Sequence, residues 1–414
     1  MFPWLEIILL IFSGIVHVYF EFAFWVILGL VGYQYWQLQR TQLHMFGVYG
    51  YTLRRQVMLA AFYGTIGGII GSFLMTVVGV TVNQLGIMYI WPVAILLMLI
   101  HMRFLCFAYA GGLVALSSAI FGWPEVNVPQ VIALVAILHF TESALIAISG
   151  RYSAVPVILR QDDGRLVGAF SLQNFWPLPL VLLAAVAITP VPGLEGTIKM
   201  PDWWPILPLN EELPAGKEWV HVMVPTIAAL GYSDMAVASK PSDKRMASAW
   251  HLAVYSVILL GFAILSARYT WLQFIAAVMA PAGHELLIQL DNRREFKLPP
   301  RYVPPEYGVM VLDTVVNSPA RAIGLQPGDI IINLAGMPVN SGYDLAQAIS
   351  WAPPRFSLDV VRDGRIERFQ TGFMNDERRL GVILVPTGQE THYVQLSTER
   401  FGLLKRLRKL FSRR

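Results

Sequence analysis

The chain has 414 residues, of which 55% are hydrophobic and only 14% are charged, with a formal net charge of +4 and a mean hydropathy of +0.53. This balance excludes a wholly soluble globular protein, in which charged residues are about a quarter of the chain. Cys106 is the single cysteine, which excludes an internal disulfide and a cluster built from several thiolates.

Charge is sparse up to about Ile288 and becomes ordinary from Asp291 onward. This shift predicts a polytopic transmembrane domain over 1–290, a juxtamembrane linker over 291–303 and a soluble part after it. Apolar stretches near the length of a membrane span predict an α-helical membrane domain with about eight or nine spans. The candidate spans are 20–37, 57–80, 86–101, 104–122, 129–150, 175–191, 219–232, 250–267 and 271–288.

Four stretches of the membrane domain have distinct local signals. The apolar stretch 3–18 carries Glu6 and is expected to be an interfacial or re-entrant helix, and 219–232 contains Pro225, which predicts a broken or re-entrant helix. Residues 155–170 alternate into and out of an Asp-Asp-Gly turn, which predicts a β-hairpin. Small residues at a close helix–helix contact are expected at Gly64, Gly67, Gly68 and Gly71.

The loop charges predict the orientation in the membrane. Basic residues concentrate in the loops 38–56, 151–174 and 233–249 and directly after the last candidate span. Because cytoplasmic loops carry the excess of lysine and arginine, we expect these loops and the C-terminal part to lie in the cytoplasm, on the condition that 219–232 crosses the membrane. The sequence therefore predicts a multi-pass protein of the cell membrane.

One stretch near the membrane exit has the beginning of a catalytic motif. His284-Glu285 matches the start of the His-Glu-x-x-His helix of zinc proteases, but Ile288 stands where the second histidine is needed. Both imidazoles of that motif must lie on one helix face to bind one zinc ion. We therefore predict no catalytic residue, no metal site, no cofactor and no enzymatic activity. An inactive or divergent site-2-protease-like protein is one alternative.

A second pair of ionisable residues lies inside a candidate span. His139 and Glu142 are three residues apart, so that they share a helix face, and ionisable groups within the membrane are expected to have a function. They are interpreted as an interhelical hydrogen-bonding pair, with His101 or His251 as a further member. A transporter that uses His139 and Glu142 is the other alternative.

The soluble part resembles a PDZ domain over residues 304–388. The resemblance rests on Ser318-Pro319-Ala320, on Gly324-Leu325-Gln326-Pro327-Gly328-Asp329-Ile330-Ile331, and on Asn333 and Gly336. It implies a β-sandwich or barrel with helices that adds a peptide strand to a sheet edge beside a helix. Carried over by position, the peptide-binding residues are Tyr307, Gly308, Val309, Met310 and Val311 of the loop and strand, and Tyr343, Ala346, Gln347 and Ser350 of the helix. Whether this groove accepts a C-terminus or an internal segment stays open.

The stretch 389–414 is predicted to be a linker followed by a basic amphipathic helix. Leucine and phenylalanine recur there at helical spacing, which is typical of a helix that lies on an anionic membrane surface. The residues expected to contact lipid headgroups are Lys405, Arg406, Arg408, Lys409, Arg413 and Arg414.

A polytopic region followed by one PDZ-like domain, with the stretches GYSDMAVAS (231–239) and GHELLIQLDNRREFKLPP (283–300), resembles the MinJ family of cell-division determinants. The resemblance implies a scaffold of the Min system that bridges a DivIVA-type polar coiled-coil protein and a MinD-type ATPase. It also implies contacts with late division proteins and enrichment at the septum and poles. The sequence predicts no nucleic-acid partner and leaves homo-oligomerisation open.

The orientation leads to a labelling prediction. In a Cys106→Ser background, a cysteine introduced directly after Arg294 is expected to stay unlabelled by a membrane-impermeant thiol reagent in intact cells. It is expected to react once the membrane is permeabilised, because the basic residues around it face the cytoplasm. Labelling in intact cells would contradict the predicted orientation.

Overall fold

The computed structural model describes residues 2–48, 50–100, 102–104, 106–149, 154–190, 198–374 and 378–395. The helices before residue 300 are the framework of the membrane domain. They are α1 (Trp4–Phe20), α2 (Phe22–Phe46), α3 (Leu53–Val78), α4 (Ile87–Ile100), α5 (Phe107–Phe121), α6 (Val128–Ser149), α7 (Pro241–Ser266) and α8 (Trp271–Lys297).

The helices differ in how far they can reach across a bilayer. In the described part of the chain, α3, α6, α7 and α8 are each long and apolar enough to span, and α1 with α2 passes the same test as a pair bent by 74°. That gives four spanning helices, or five if the bent pair is one span. The predicted spans 86–101 and 104–122 correspond to the shorter helices α4 and α5, of 14 and 15 residues.

Two of the predicted spans are strands, and this corrects the expected count of eight or nine helices. A sheet contains β1 (Ala154–Arg160), β2 (Leu166–Ile188) and β3 (Glu218–Ala236). Residues 175–188 of the predicted helix 175–191 are the far part of β2, and the predicted helix 219–232 lies within β3. The two strands pair antiparallel from Phe170↔Ala236 to Ile188↔Glu218. Both strands contain proline, which destabilises the interior of a helix but is tolerated in an edge strand of a sheet.

The hairpin expected over 155–170 is confirmed, although its second strand is much longer than the pattern indicated. β1 pairs antiparallel with β2 from Ala154↔Leu172 to Arg160↔Leu166. The turn between them ends at Gly164, whose φ of 87° is a left-handed conformation that glycine adopts at little cost. The hairpin is therefore the end of a sheet that continues along the apolar helices.

The glycine face of α3 packs against the backbone of β2 as well as against a helix. A Cβ atom at Gly64 or Gly68 would lie 2.0 Å from the carbonyl oxygen of Pro177 or Pro179, respectively, whereas one at Gly67 would meet Leu145 of α6. The sequence predicted only helix–helix contact for these glycines. The closer contact is with the strand β2. Glycine at these positions has no side chain, and this allows α3 to approach the strand backbone so closely.

The outer edge of β2 has hydrogen-bonding partners from neighbouring segments. Pro177 and Pro179 have no N–H group to satisfy on this edge. Three amide groups of the strand donate to side chains: Phe175 N–H to Tyr35 Oη at 3.2 Å, Val181 N–H to Ser72 Oγ at 2.8 Å, and Ala185 N–H to Asn83 Oδ1 at 2.8 Å. Such partners are required where no water can bond to the backbone.

The C-terminal module, residues 304–388, has its own sheet and core. Its sheet has the order β8-β7-β5-β4-β9, with β6 paired to β5, and buried leucine, isoleucine, valine and phenylalanine side chains fill the space beneath α10. The elements are β4 (Val309–Thr314), α9 (Pro319–Ala322), β5 (Ile330–Leu334), β6 (Met337–Pro338), α10 (Gly342–Trp351), β7 (Arg355–Arg362), β8 (Arg365–Gly372) and β9 (Val382–Leu384).

A buried ion pair fixes the turn that leads into β5. The carboxylate of Asp329 is buried and accepts two hydrogen bonds from Arg362 of β7, at 2.8 and 2.6 Å. The same carboxylate accepts the Gln326 N–H at 2.8 Å. The hydrogen bond to Asp329 raises the pKa of Arg362 above its ordinary value, so the guanidinium stays charged. The Gly-Leu-Gln-Pro-Gly-Asp stretch is therefore a turn held by its own aspartate.

The contact between α3 and β2 gives a stability prediction. We expect Gly68→Ala to lower the free energy of unfolding by about 1–3 kcal/mol, because the new methyl group overlaps the Pro179 carbonyl oxygen. The matched control is Gly261→Ala in α7, where a Cβ meets nothing within 4 Å, and this change should leave stability equal or higher. Thermal unfolding in detergent micelles measures both, and an equal effect of the two variants would contradict the packing argument.

Candidate functional site

The junction between the membrane domain and the module is organised by a buried carboxylate. Glu295, near the end of α8, accepts the N–H groups of Val237, Ala238 and Ser239 at 3.0, 3.0 and 3.2 Å. Its second oxygen accepts the Ser239 hydroxyl at 2.6 Å. The stretch that follows β3 is therefore held to α8 by one side chain.

A charged cluster lies beside this carboxylate. The buried Lys244 ammonium is 2.9 Å from Asp234 and 3.6 Å from Asp291. Ser248 donates to Asp234 at 2.8 Å, and His251 Nδ1 lies 2.8 Å from Asp291. Asp234 and Asp291 belong to the two stretches, 231–239 and 283–300, that the sequence singled out. The structure brings these stretches together as one polar joint.

The linker before the module is built into the sheet of the membrane domain. The Tyr302 side chain is fully buried, and its carbonyl oxygen accepts the Gly168 N–H of β2 at 2.8 Å. The Arg301 N–H donates to the Val237 carbonyl oxygen at 2.9 Å. A Cβ at Gly168 would lie 2.8 Å from Leu312 Cδ1 of the module, so the two parts are in close contact here.

The chain also returns to the membrane domain after the module. A short strand, β10 (Val394–Gln395), pairs in parallel with β1, with Leu159 opposite Val394. The Arg160 guanidinium donates to the Tyr393 hydroxyl at 2.8 Å. Residues expected to be a linker therefore add a strand to the membrane-domain sheet, and the module is attached at both of its ends.

The strand predicted to receive a peptide lies inside the module sheet. Val309 pairs with Ile331 of β5, and Val311 pairs with Leu384 of β9. The side chains of Val309 and Val311 are buried in the module core. Because β4 has a neighbour on both sides, the edge strand on this side of the sheet is β9.

The loop at Tyr307 and Gly308, which the resemblance assigns to peptide binding, already uses one of its backbone N–H donors. Gly308 has a φ of 81°, and its N–H donates to Asn340 Oδ1 at 3.3 Å. Met310 of the following strand accepts the Val385 N–H at 3.1 Å through its carbonyl oxygen. Tyr307, in contrast, is 77% exposed. A carboxylate bound in this loop would have to replace the contact between Gly308 and Asn340.

Helix α10 and strand β9 border the open side of the module. Gly381, with a φ of 76°, leads into β9, and Leu384 of this strand approaches Gly342 at the start of α10. The helix residues predicted to line a groove are all exposed: Tyr343, Ala346, Gln347 and Ser350. Peptide binding here stays a prediction, with β9 as the edge that can accept a strand.

The predicted lipid-contact residues, 405–414, lie outside the described residues.

A cavity of about 670 Å³ separates the module from the connection between α2 and α3. The Arg321 guanidinium of the module stacks on the Tyr51 ring at 5.7 Å and lies 3.3 Å from its hydroxyl. Asp313 of β4 also lines this cavity, and burial raises the pKa of its carboxyl to about 6, against the opposing effects of the Thr314 N–H and Arg321. The cavity therefore lies on the face where module and membrane domain meet.

A second cluster of polar side chains lies inside the helix bundle. Cys106 precedes α5, His139 is in α6 and His284 is in α8. The Cys106 sulfur is 3.2 Å from His139 Nε2 and 3.9 Å from His284 Nε2. Among the described residues, these three side chains form the group of ligand atoms that could hold a metal ion.

The sequence did not reveal this group, because its members are far apart in the chain. Cys106 precedes His139 by 33 residues and His284 by 178 residues, so no short motif connects them. The sequence analysis paired His139 with Glu142 and expected His101 or His251 as a further member. His251 contacts Asp291 instead, and His101 lies outside the described residues. An apolar helix that contains a histidine facing inward is the signal that could have pointed to the site.

Comparison with known proteins gives one relative to report. No protein-family model matches the chain. The chain is 23% identical over 271 residues to the cell division topological determinant MinJ of Bacillus subtilis (strain 168). The aligned region covers 64% of this chain and 64% of MinJ. The chain is thus similar to about two thirds of a division protein.

The charged joint leads to a stability prediction. Lys244→Met should destabilise the protein by about 3–5 kcal/mol, because it leaves the Asp234 and Asp291 carboxylates buried without their shared cation. Lys240→Met, at the exposed residue before α7, should change stability by less than about 0.5 kcal/mol. Thermal unfolding in detergent compares the two. Addition of Asp234→Asn to Lys244→Met should restore part of the loss, and an absence of any restoration would argue against the ion pair.

Proposed function

We propose that this chain is a non-enzymatic membrane scaffold of the MinJ type that acts in the selection of the division site. The observation that carries the proposal is its similarity to a cell division topological determinant over 271 residues. The apolar helices support a membrane location. A scaffold needs a fixed geometry between anchor and recognition module, and the contacts of Glu295 and Tyr302 supply it.

The module is proposed to be a PDZ domain that recruits cytoplasmic partners. β-strand addition needs a sheet edge with unpaired backbone groups beside a helix. Strand β9 at the end of the module sheet and the exposed face of α10 supply such an arrangement. The partner would add its strand to β9, with Tyr343, Ala346, Gln347 and Ser350 as the contacts on the helix.

The module is proposed to lie in the cytoplasm. The membrane-domain residues that line the junction cavity include Tyr51 and Lys240, and Gly168 bonds directly to the linker. All three belong to the loops that carry the excess of basic residues, 38–56, 151–174 and 233–249. Loops of this charge stay on the cytoplasmic side of a membrane, which supports this orientation.

The partners follow from the MinJ resemblance. A DivIVA-type polar protein and a MinD-type ATPase would be brought together by this chain, with late division proteins as further partners and the basic tail on anionic lipid. The chain would then be enriched at the septum and the poles. Strand addition gives affinity through the partner's backbone and selectivity through alternate side chains, so one module can serve a short peptide segment from any of them.

The localisation of a full-length fluorescent fusion in dividing cells tests the proposal. We expect enrichment at the septum and poles, and loss of that enrichment when the DivIVA-type protein is removed. A uniform membrane signal that does not respond to this removal would contradict the scaffold role. Cells from which the chain is deleted should show misplaced septa, because a MinD-type ATPase that inhibits division would no longer be confined to the poles and septum.

A matched pair of variants separates the groove from the rest of the module. Ala346→Arg places a charged side chain on the exposed face of α10 and should reduce septal enrichment. Ile366→Arg introduces the same side chain on β8, at the opposite end of the sheet, where Ile366 is 70% exposed. This variant should localise as the unaltered chain does, and an equal loss in both would argue against the groove.

A further inference from the structure

Three ligand-type side chains converge between α5, α6 and α8. The donor atoms of Cys106, His139 and His284 all lie within 4.8 Å of one another. For a tetrahedral ion with ordinary zinc–sulfur and zinc–nitrogen bonds, the sulfur-to-nitrogen separation is about 3.6 Å. The two observed separations, 3.2 and 3.9 Å, bracket that value. The Cys106 sulfur therefore lies at about the distance from each imidazole that binding to one shared ion requires.

The tautomer of His139 supports the same conclusion. Its Nδ1 lies 2.7 Å from the Val135 carbonyl oxygen, an acceptor that fixes the proton on Nδ1. The Nε2 lone pair is then directed at Cys106 and is available to a metal ion. A ligand histidine is commonly oriented in this way, by donation from its other nitrogen to a carbonyl oxygen. His139 is itself buried, so it is held in a single position.

His284 lacks the partners that a satisfied core histidine has. Within the described residues, its buried Nδ1 has no hydrogen-bond partner. Its Nε2 has only the Cys106 sulfur, at 3.9 Å. Buried polar groups are normally paired, since an unpaired one is destabilising. An ion bound at Nε2 would replace this long sulfur contact with a coordinate bond, whereas Nδ1 would still have no partner among the described residues.

Two aromatic rings and a carboxylate that already has partners lie around the cluster. The Tyr109 and Tyr255 rings pack edge-on against the histidines, with centroids 5.3 and 6.1 Å from the His284 ring. Glu285, the nearest carboxylate along α8, accepts the Tyr109 hydroxyl at 2.7 Å and pairs with Arg103 at 3.3 Å. The site therefore offers one thiolate and two imidazoles, and a fourth coordination position is left to a small ligand.

We propose that Cys106, His139 and His284 bind a thiophilic late transition-metal ion, Zn²⁺, within the helix bundle. A thiolate with two imidazoles suits zinc and copper, whereas magnesium and calcium take oxygen ligands. The ion would join three helices that are distant in the chain, and by binding only the folded state it would stabilise the bundle. This site is independent of the peptide-binding role of the module.

Cobalt and zinc loading of the full-length protein in detergent micelles tests the site. After removal of metal with a chelator, Co²⁺ should produce a thiolate-to-cobalt charge-transfer band. Because the chain has one cysteine, that band can arise only from Cys106. Elemental analysis after zinc loading should give one ion per chain. The band should be absent from Cys106→Ser, and bound zinc should fall in His139→Gln and His284→Gln. His17→Gln, on the exposed part of α1, should retain both signals.

Thiol protection separates metal binding from a folding defect. Zinc should slow alkylation of Cys106 in the otherwise unaltered chain at least tenfold, and chelation should restore the rate. Zinc should also raise the unfolding midpoint of this chain but not of His139→Gln, with each protein compared to its own metal-free form. Equal zinc content in the original chain and Cys106→Ser, or a thiol that zinc does not protect, would overturn the proposal. Copper(I) bound in place of zinc after purification from cells would overturn the choice of ion.

Discussion

The membrane domain depends on the contact between the backbone of β2 and the glycine face of α3. A strand among apolar helices must satisfy each of its polar backbone groups within the protein. Pro177 and Pro179 remove two donors, and side chains such as Ser72 and Asn83 take others. Gly64 and Gly68 allow the strand to lie directly on the helix. Without this contact, the part of β2 that extends beyond β1 would expose an unpaired edge to lipid.

The same sheet determines where the module is attached. The inner end of β2 bonds to Tyr302 through Gly168, and the end of β3 is held by Glu295 of α8. The chain then adds β10 to β1 after the module. The module is thus connected to the membrane domain by backbone pairing at two places rather than by a flexible linker. Its open edge, at β9, therefore has a defined position relative to the sheet of the membrane domain.

Helix α8 connects the two polar sites. His284 belongs to the cluster with Cys106 and His139, and Glu295, about 16 Å further along the helix axis, belongs to the junction with the module. The two residues that resemble the beginning of a zinc-protease motif, His284 and Glu285, therefore have different contacts. Its histidine faces the bundle, and its glutamate at 285 pairs with Tyr109 and Arg103. The missing second histidine excludes the local motif but not a site assembled from three helices.

The sequence alone determined that apolar helices precede a region of different composition and that a hairpin lies at 155–170, because both depend on composition or on neighbouring residues. It could not distinguish the strands β2 and β3 from helices, since both kinds of element bury continuous apolar runs, and only Pro177, Pro179 and Pro225 indicated the difference. It also placed the peptide edge on β4, which the structure surrounds with β5 and β9. The Cys106 cluster and the joint at Lys244 required the tertiary structure, because their members are brought together only when distant helices pack.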